Sequence, residues 1–404
     1  SAGLTSGGYG KREGRPTERE TLMCRLMDRP VRPLVDQRVR NECQLLSWVL
    51  SYDGETNLQS GAVTLAAAAA YMSDIPMSEP CACASVGMDE GGGFVLNPTR
   101  GQAEGSALDL TIAGTETKVL MVEGHADFIT EEKMCEAISF GMESVREVCK
   151  AVRDFKEKVG RVEKEWSFTE VPESVASLAS SSASPHIDLA YSSPDKSTQV
   201  EHIEVAYETA KAAVESSFPG MGGHAYSVVK SDFERRMYEL ALQGKRVDGR
   251  SPSDVRPIDI KAPFLPNAHG SAVFTRGETQ AVATATLGDK GMELKYDTLW
   301  GQGKKRFYLQ YSFPPSSVGE TGRVGGVGRR EVGHGNLAER ALSRAIPSDF
   351  PYTVRVESLI TESHGSSSMA SVCGGYLAMR EAGVPLKEVV AGGAMGGGKD
   401  REAP

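Results

Sequence analysis

The sequence predicts an α/β (α+β) protein of two similar β–α units joined by a helical connector. Three observations carry this. Alternating β-branched runs feed Gly/Ser loops that open Ala/Leu/Met-rich stretches, as in residues 352–360 followed by 370–381. An arginine pattern occurs twice: Arg15, Arg25 and Arg29 in the first half, then Arg330, Arg340 and Arg344 in the second, with identical spacing. Between the halves the composition shifts to Ser-rich, linker-like text.

The elements follow in order. Residues 1–160 form the first unit. Leu22, Met23, Leu26 and Met27 make an apolar stripe that predicts a helix over 18–29, ended by Pro30 and Pro33. Residues 43–52 read as a strand and 58–72 as a buried Ala-rich helix. Residues 108–115 and 119–124 read as two strands around a tight turn, and 131–158 as a long helix. Residues 161–244 are the connector: Ser180-Ser181-Ser182-Ala183-Ser184-Pro185 and Ser192-Ser193-Pro194 read as linker, and 205–216 and 228–242 as short helices. From 245 to 404 runs the second unit. It has a hairpin over 271–287, a strand over 307–313, a Gly/Arg loop over 319–335, a helix over 337–345, and the strand–loop–helix already described. Aligning Ile75-Pro76 with Val384-Pro385 gives an offset of 309 residues and sets Ser366-Ser367-Ser368 opposite Asn57-Leu58-Gln59. The serine loop therefore belongs to the second unit alone.

Composition narrows the function classes. The chain has 404 residues, 40% hydrophobic and 25% charged, ordinary for a globular protein with room for two or three domains. No 18-residue apolar run is present, so no membrane span is expected, and the first residues lack signal-peptide architecture. Seven cysteines are scattered, and Cys81-Ala82-Cys83 has no second ligand pair, so free thiols are expected rather than zinc. The net charge of −9 argues against coating nucleic acid with the whole surface. Two islands run against it. Residues 11–40 hold nine Lys/Arg against five Asp/Glu, and residues 303–344 hold eight against three. These read as confined anion sites or as solvated helix faces.

Chemistry concentrates around the serine loop. A strand, a Gly/Ser loop and a helix start bring unpaired N–H groups and hydroxyls together at the positive end of a helix dipole. A Ser-rich N-cap is the plainer reading of the same residues. Arg329 and Arg330 offer guanidinium forks for phosphate, and His334, between Gly333 and Gly335, can hydrogen-bond an anion or move a proton. His269 and His364 read as turn or support residues.

Several long motifs resemble the polynucleotide phosphorylases. They are Gly319-Glu320-Thr321-Gly322-Arg323, Arg329-Arg330-Glu331-Val332-Gly333-His334-Gly335 and Gly365-Ser366-Ser367-Ser368-Met369-Ala370-Ser371. Phe274-Thr275-Arg276-Gly277-Glu278-Thr279-Gln280 and Arg25-Leu26-Met27-Asp28-Arg29-Pro30-Val31-Arg32-Pro33 extend the match over nearly the whole chain outside the connector. The stretches 46–54 and 306–311 look most like the chloroplast branch, so a plastid location is expected, with the mitochondrion as alternative.

The resemblance implies two ribonuclease-PH-like units, the first lacking its opening strands and the second its end. It implies 3′→5′ phosphorolysis: inorganic phosphate attacks the last internucleotide bond of RNA and releases a nucleoside diphosphate, reversibly. Ser366, Ser367 and Ser368 would hold the phosphate, with Arg329, Arg330 and His334 as catalytic groups around the scissile bond. Tyr9, Lys11, Arg12, Arg15, Arg25, Arg29 and Arg32 would bind single-stranded RNA. Tyr9 is the one aromatic where the family's loop usually has two.

Homotrimeric rings, or a place in a larger complex, are implied as well; neither a membrane nor DNA is an expected partner. The family's magnesium site is a pair of aspartates with a lysine beyond the motif at 391–396. No such pair follows here, so the magnesium ligands are expected outside this chain. The alternative reading is a non-catalytic RNA-binding or scaffold subunit of a larger organellar assembly.

Overall fold

The computed structural model describes residues 16–160, 166–168, 170–193, 195–298 and 301–396. The chain divides into two compact units, one built from residues 1–167 and 259–392, the other from 168–258 and 393–404.

In the larger unit the first half opens with helix α1 (Glu18–Val31) and α2 (Leu58–Met72). Four strands follow, β1 (Ala82–Met88), β2 (Phe94–Leu96), β3 (Leu108–Gly114) and β4 (Val119–Ala126), with a short α3 (Arg100–Ala103) and a long α4 (Glu131–Val159). They form an antiparallel sheet in the order β2-β1-β3-β4. Successive residues at and before β1 face opposite layers. Cys81 and Cys83 pack with α1 and α2, while Ala82, Ala84 and Val86 pack with α4. Both faces are thus buried, which is why this strand reads as a continuous apolar run. Gly141 lets α4 lie close on the sheet, since a Cβ there would come within 2.6 Å of Ile112 and 2.9 Å of Val86.

In the second half, β5 (Ile258–Lys261), β6 (Gly270–Arg276), β7 (Thr279–Gly288), β8 (Leu294–Thr298), β9 (Gly301–Lys305), β10 (Phe307–Ser312) and β11 (Thr353–Glu362) alternate with α8 (Arg329–Ser343) and α9 (Ser367–Glu381). A five-stranded sheet has the order β10-β11-β7-β6-β5, with β8 and β9 as a separate ribbon. β10 runs parallel to β11, and the β11–β7 and β7–β6 pairs are antiparallel. At β11 only one face is covered. Val354, Val356 and Ile360 lie under α8 and α9, while Arg355, Glu357 and Leu359 face outward, giving clean alternation.

The smaller unit is helical: α5 (Glu173–Tyr191), α6 (Lys196–Ser217) and α7 (Ala225–Leu242) share a core of Val175, Ala179, Ala183, Ile187, Ala206, Ala210, Val214, Ala225 and Val229.

Four expectations need correction. Residues 43–52 join no ladder among the described residues. No strand lies beside them, and Leu46, Trp48 and Leu50 are 67%, 78% and 79% exposed. Pro30 does not end α1, which runs to Val31 because tertiary burial of Pro30 and Val31 overrides the local break. The Ser-rich stretch 180–185 lies inside α5, whose Ala/Val stripe at spacing four supplies a packing face that composition alone hides. Finally, the loop expected over 319–335 ends at Gly328, and Arg329, Arg330 and His334 stand in the first turns of α8.

Candidate active site

α8 begins where Glu331 closes a capping arrangement. Its carboxylate accepts from the Gly328 N–H at 2.8 Å and, with the other oxygen, from Phe313 N–H at 3.1 Å. That fixes Arg329 and Arg330 at the open end of the helix, with the Arg330 guanidinium 5.5 Å above the Phe313 ring. One turn on, His334 sits between two glycines that each admit a neighbour. A Cβ at Gly333 would collide with the Arg25 guanidinium arriving from α1, and one at Gly335 would lie 3.2 Å from Tyr311 Cβ on β10. Their presence made the segment read as loop; their reason is close approach.

The serine loop meets this helix through Tyr311. Gly365, at φ +129°, turns the chain into α9, where Ser366 is the N-cap residue but its side chain makes no cap bond. Ser367 and Ser368 are buried in the first turn. Tyr311 Oη lies 2.7 Å from Ser367 Oγ and 3.3 Å from His334 Nδ1, so one phenol joins the two motifs. Ser366 Oγ is 3.2 Å from Ser368 Oγ. From behind, Arg276 donates to Ser366 O at 2.9 Å, and Ser358 donates to Ser371, which donates to Ser367 O at 3.1 Å. His364 N–H donates to Thr279, and His269 Nδ1 accepts from Leu287 N–H, the support roles expected of both.

Burial, then the charges of Arg330 and Arg25, push the His334 imidazole down to about 4, so the ring is neutral at pH 7. Burial pushes the Tyr311 phenol up to about 12. The result is a recessed site with cationic groups, neutral hydroxyls and an open helix start, suited to an anion.

Of the sequence-predicted residues, the structure gathers Ser366, Ser367, Ser368, Arg330, His334 and Arg25. Arg329 stands exposed at the helix mouth. Arg29 is turned to an ion pair with Glu123, which also accepts from Arg340 at 2.8 Å, tying α1, β4 and α8 together. Arg32 is held by Asp28 at 2.6 Å. Tyr9, Lys11, Arg12 and Arg15 lie outside the described residues. Sequence reasoning left out Tyr311 and Arg276, though both stand within motifs it singled out; only the fold shows that they reach the serine loop.

The model for domain 1 of the 3′ exoribonuclease family matches residues 2–76 and again 254–385, and that for domain 2 matches residues 79–144. This chain belongs to the 3′ exoribonuclease family. The internal repeat is therefore the family's domain 1 occurring twice. Among curated relatives, the polyribonucleotide nucleotidyltransferase of Protochlamydia amoebophila is 47% identical over 98% of this chain and 58% of its own length. That of Chlamydia trachomatis serovar D is 47% identical over 100% of this chain, again covering 58% of the relative. The Chlamydia caviae protein of the same name is 46% identical. This exoribonuclease-family chain thus spans somewhat over half the length of the relatives it matches.

The resemblance to the polynucleotide phosphorylases implies a magnesium ion. Among the described residues no group of three or more His, Cys, Asp or Glu side chains could hold one. Near the serines, Glu331 is already committed to two backbone N–H groups. The described residues do not fit a metal.

Proposed function

We propose that this chain carries the phosphate site of a 3′→5′ phosphorolytic exoribonuclease, a polyribonucleotide nucleotidyltransferase. One observation carries the reading: Ser366, Ser367 and Ser368 at the start of α9 are joined through Tyr311 to His334, whose ring has Arg330 and Arg25 as its charged neighbours. In the reaction a phosphate oxygen attacks the phosphorus of the 3′-terminal phosphodiester. The new P–O bond forms as the bond to the preceding 3′-oxygen breaks, and that oxygen takes a proton. A nucleoside diphosphate and an RNA one residue shorter leave. Protein groups here position the phosphate and neutralise developing charge, which is the main protein contribution to phosphoryl transfer. The neutral His334 ring reaches Tyr311 Oη through Nδ1 and adds no charge of its own to the site.

Single-stranded RNA is the proposed substrate, with Arg25 and Arg329 nearest its scissile phosphate. A homotrimer, magnesium supplied by ligands outside this chain, and a plastid location complete the proposal. The plastid location rests on the resemblance of residues 46–54 and 306–311 to the chloroplast branch. The test is phosphate-dependent release of nucleoside diphosphates from 3′-labelled single-stranded RNA with Mg²⁺ present. Ser367→Ala and Ser368→Ala together should abolish release. Equal release with and without phosphate would sink the phosphorolytic reading.

A further inference from the structure

We propose that Tyr311 is a positioning residue that sets the direction of hydrogen bonding at the phosphate site: His334 Nδ1–H donates to Tyr311 Oη, and Tyr311 O–H donates to Ser367 Oγ, leaving the Ser367 proton for the bound anion. This rests on the serine loop being the anion site and adds how that site is polarised.

The number of available protons limits the possible arrangements. Tyr311 is 2% exposed, and its hydroxyl has one proton and two partners, Ser367 Oγ at 2.7 Å and His334 Nδ1 at 3.3 Å. A neutral imidazole carries a proton on one nitrogen only. Two arrangements satisfy all three groups. In the first, His334 donates to Tyr311, Tyr311 to Ser367, and Ser367 outward. In the second, every bond is reversed: Ser367 donates to Tyr311, Tyr311 donates to His334 Nδ1, and Nε2–H points away. Any mixed arrangement leaves two lone pairs facing each other or strands the buried phenol proton, which is costly in a low-dielectric site.

Only the first arrangement lets Ser367 donate to an anion; the second presents it with lone pairs alone. The first also leaves a lone pair on Nε2, on a ring whose charged neighbours are the cations Arg330 and Arg25. The frame behind the relay is fixed, because Ser371 holds Ser367 O and Gly335 makes room for Tyr311. An anion at the serines therefore selects the Nδ1–H tautomer of His334, and Tyr311 transmits the choice.

The test uses the full chain with ¹⁵N-labelled histidine and inorganic phosphate as probe. The His334 signals are assigned with His334→Gln, and the tautomer is read from two-bond ¹⁵N–¹H couplings. With saturating phosphate, His334 should be the Nδ1–H tautomer. In Tyr311→Phe it should shift to Nε2–H, and phosphate should bind about tenfold more weakly, the loss of one buried hydrogen bond. Ser367→Ala breaks the relay from its other end. With the acceptor gone, Tyr311 turns its proton to Nδ1, and His334 should again become Nε2–H. A merely structural tyrosine would not move the tautomer in either variant. If wild type binds phosphate and Tyr311→Phe matches it within twofold with the same tautomer, the relay is wrong while the site stands. If wild type takes up no phosphate at millimolar concentration, the site reading itself falls, and the relay with it. Should Tyr311→Phe fail to fold, the tautomer in Ser367→Ala decides: Nδ1–H retained there overturns the proposal.

Discussion

Replacing Gly333 with alanine separates stability from anion binding in a way few single substitutions can. Gly333 lies inside α8, where Ala is favoured over Gly by ~1 kcal/mol. The three atoms nearest the added Cβ are Nε, Cζ and Cδ of Arg25, toward the movable end of a flexible side chain. Arg25 has no acidic partner among the described residues, so swinging it away breaks no ion pair. The fold should therefore hold its stability or gain up to ~1 kcal/mol. The anion site should suffer, because a charge-assisted hydrogen bond contributes ~1.5–3 kcal/mol, about 10- to 100-fold in phosphate affinity. Arg25 also helps hold the His334 ring down at about 4, so its displacement should move that value up toward the ordinary 6.5.

Three measurements check this: a phosphate titration by calorimetry, urea unfolding, and an NMR pH titration of His334. Unchanged affinity together with an unmoved imidazole would show that Arg25 does not face the site. A stability loss above ~1 kcal/mol would show that the Cβ meets something that cannot yield.

Three further outcomes are expected. Glu123→Gln should destabilise the larger unit by ~1–3 kcal/mol in urea, between exposed and buried pairs, because the carboxylate is 20% exposed and serves Arg29 and Arg340. The difference should shrink in 1 M salt, and an unmoved midpoint would mean the two arginines find water instead. The depressed His334 makes stability fall with acid: the unfolded ring binds a proton from about 6.5 downward and the folded ring only near 4. Stability is therefore full above pH 6.5 and is lost through that window, ~1 kcal/mol after screening of a part-exposed ring, and His334→Gln should abolish this slope in unfolding measured from pH 7 to 4. Burial pushes Cys81 and Cys83 up to about 12 and Cys149 to about 11, so in native protein at pH 8 an aromatic disulfide reagent should label exposed Cys43 and Cys135 first. Rapid labelling of any of the buried three would contradict their placement.

What the sequence revealed depended on whether a signal was local. The helix over 58–72, the strands over 108–115 and 119–124 and the long helix over 131–158 carry local signals, and they stand within two residues of where those signals put them. Gly333 and Gly335 misled because a glycine inside a helix looks the same whether it ends the helix or admits a side chain from elsewhere. The difference lies in Arg25 and Tyr311, more than 300 and more than 20 residues away in sequence. Residues 43–52 misled in the opposite sense. Their apolar content suits a strand, but a strand exists only beside another, and composition says nothing of partners. The serines and His334 were legible as chemistry, whereas their connection through Tyr311 was not, since a tyrosine in a strand is ordinarily read as core.

The two copies of domain 1 differ at the helix start where the anion site is proposed. The copies offer corresponding helices, α2 in the first and α9 in the second, and only α9 follows directly on a strand, β11. At α2 the side chain of Asn57 accepts from Gln59 N–H at 2.9 Å, and the Gln59 amide oxygen is held by Thr111 at 3.0 Å. That helix start is closed on itself, with one of its orphan donors satisfied internally. At α9 the N-cap serine caps nothing, and Arg276 takes its carbonyl from behind. The positive φ of Gly365 aims the chain so that three hydroxyls border the opening. A missing cap costs a helix about 1 kcal/mol. Leaving it out at α9, and supplying it at α2, places that cost where a ligand can offset it. The first copy and the domain 2 that follows it then serve the second copy: α1 sends Arg25 to its histidine, and β4, in domain 2, sends Glu123 to hold α1 and α8 in register.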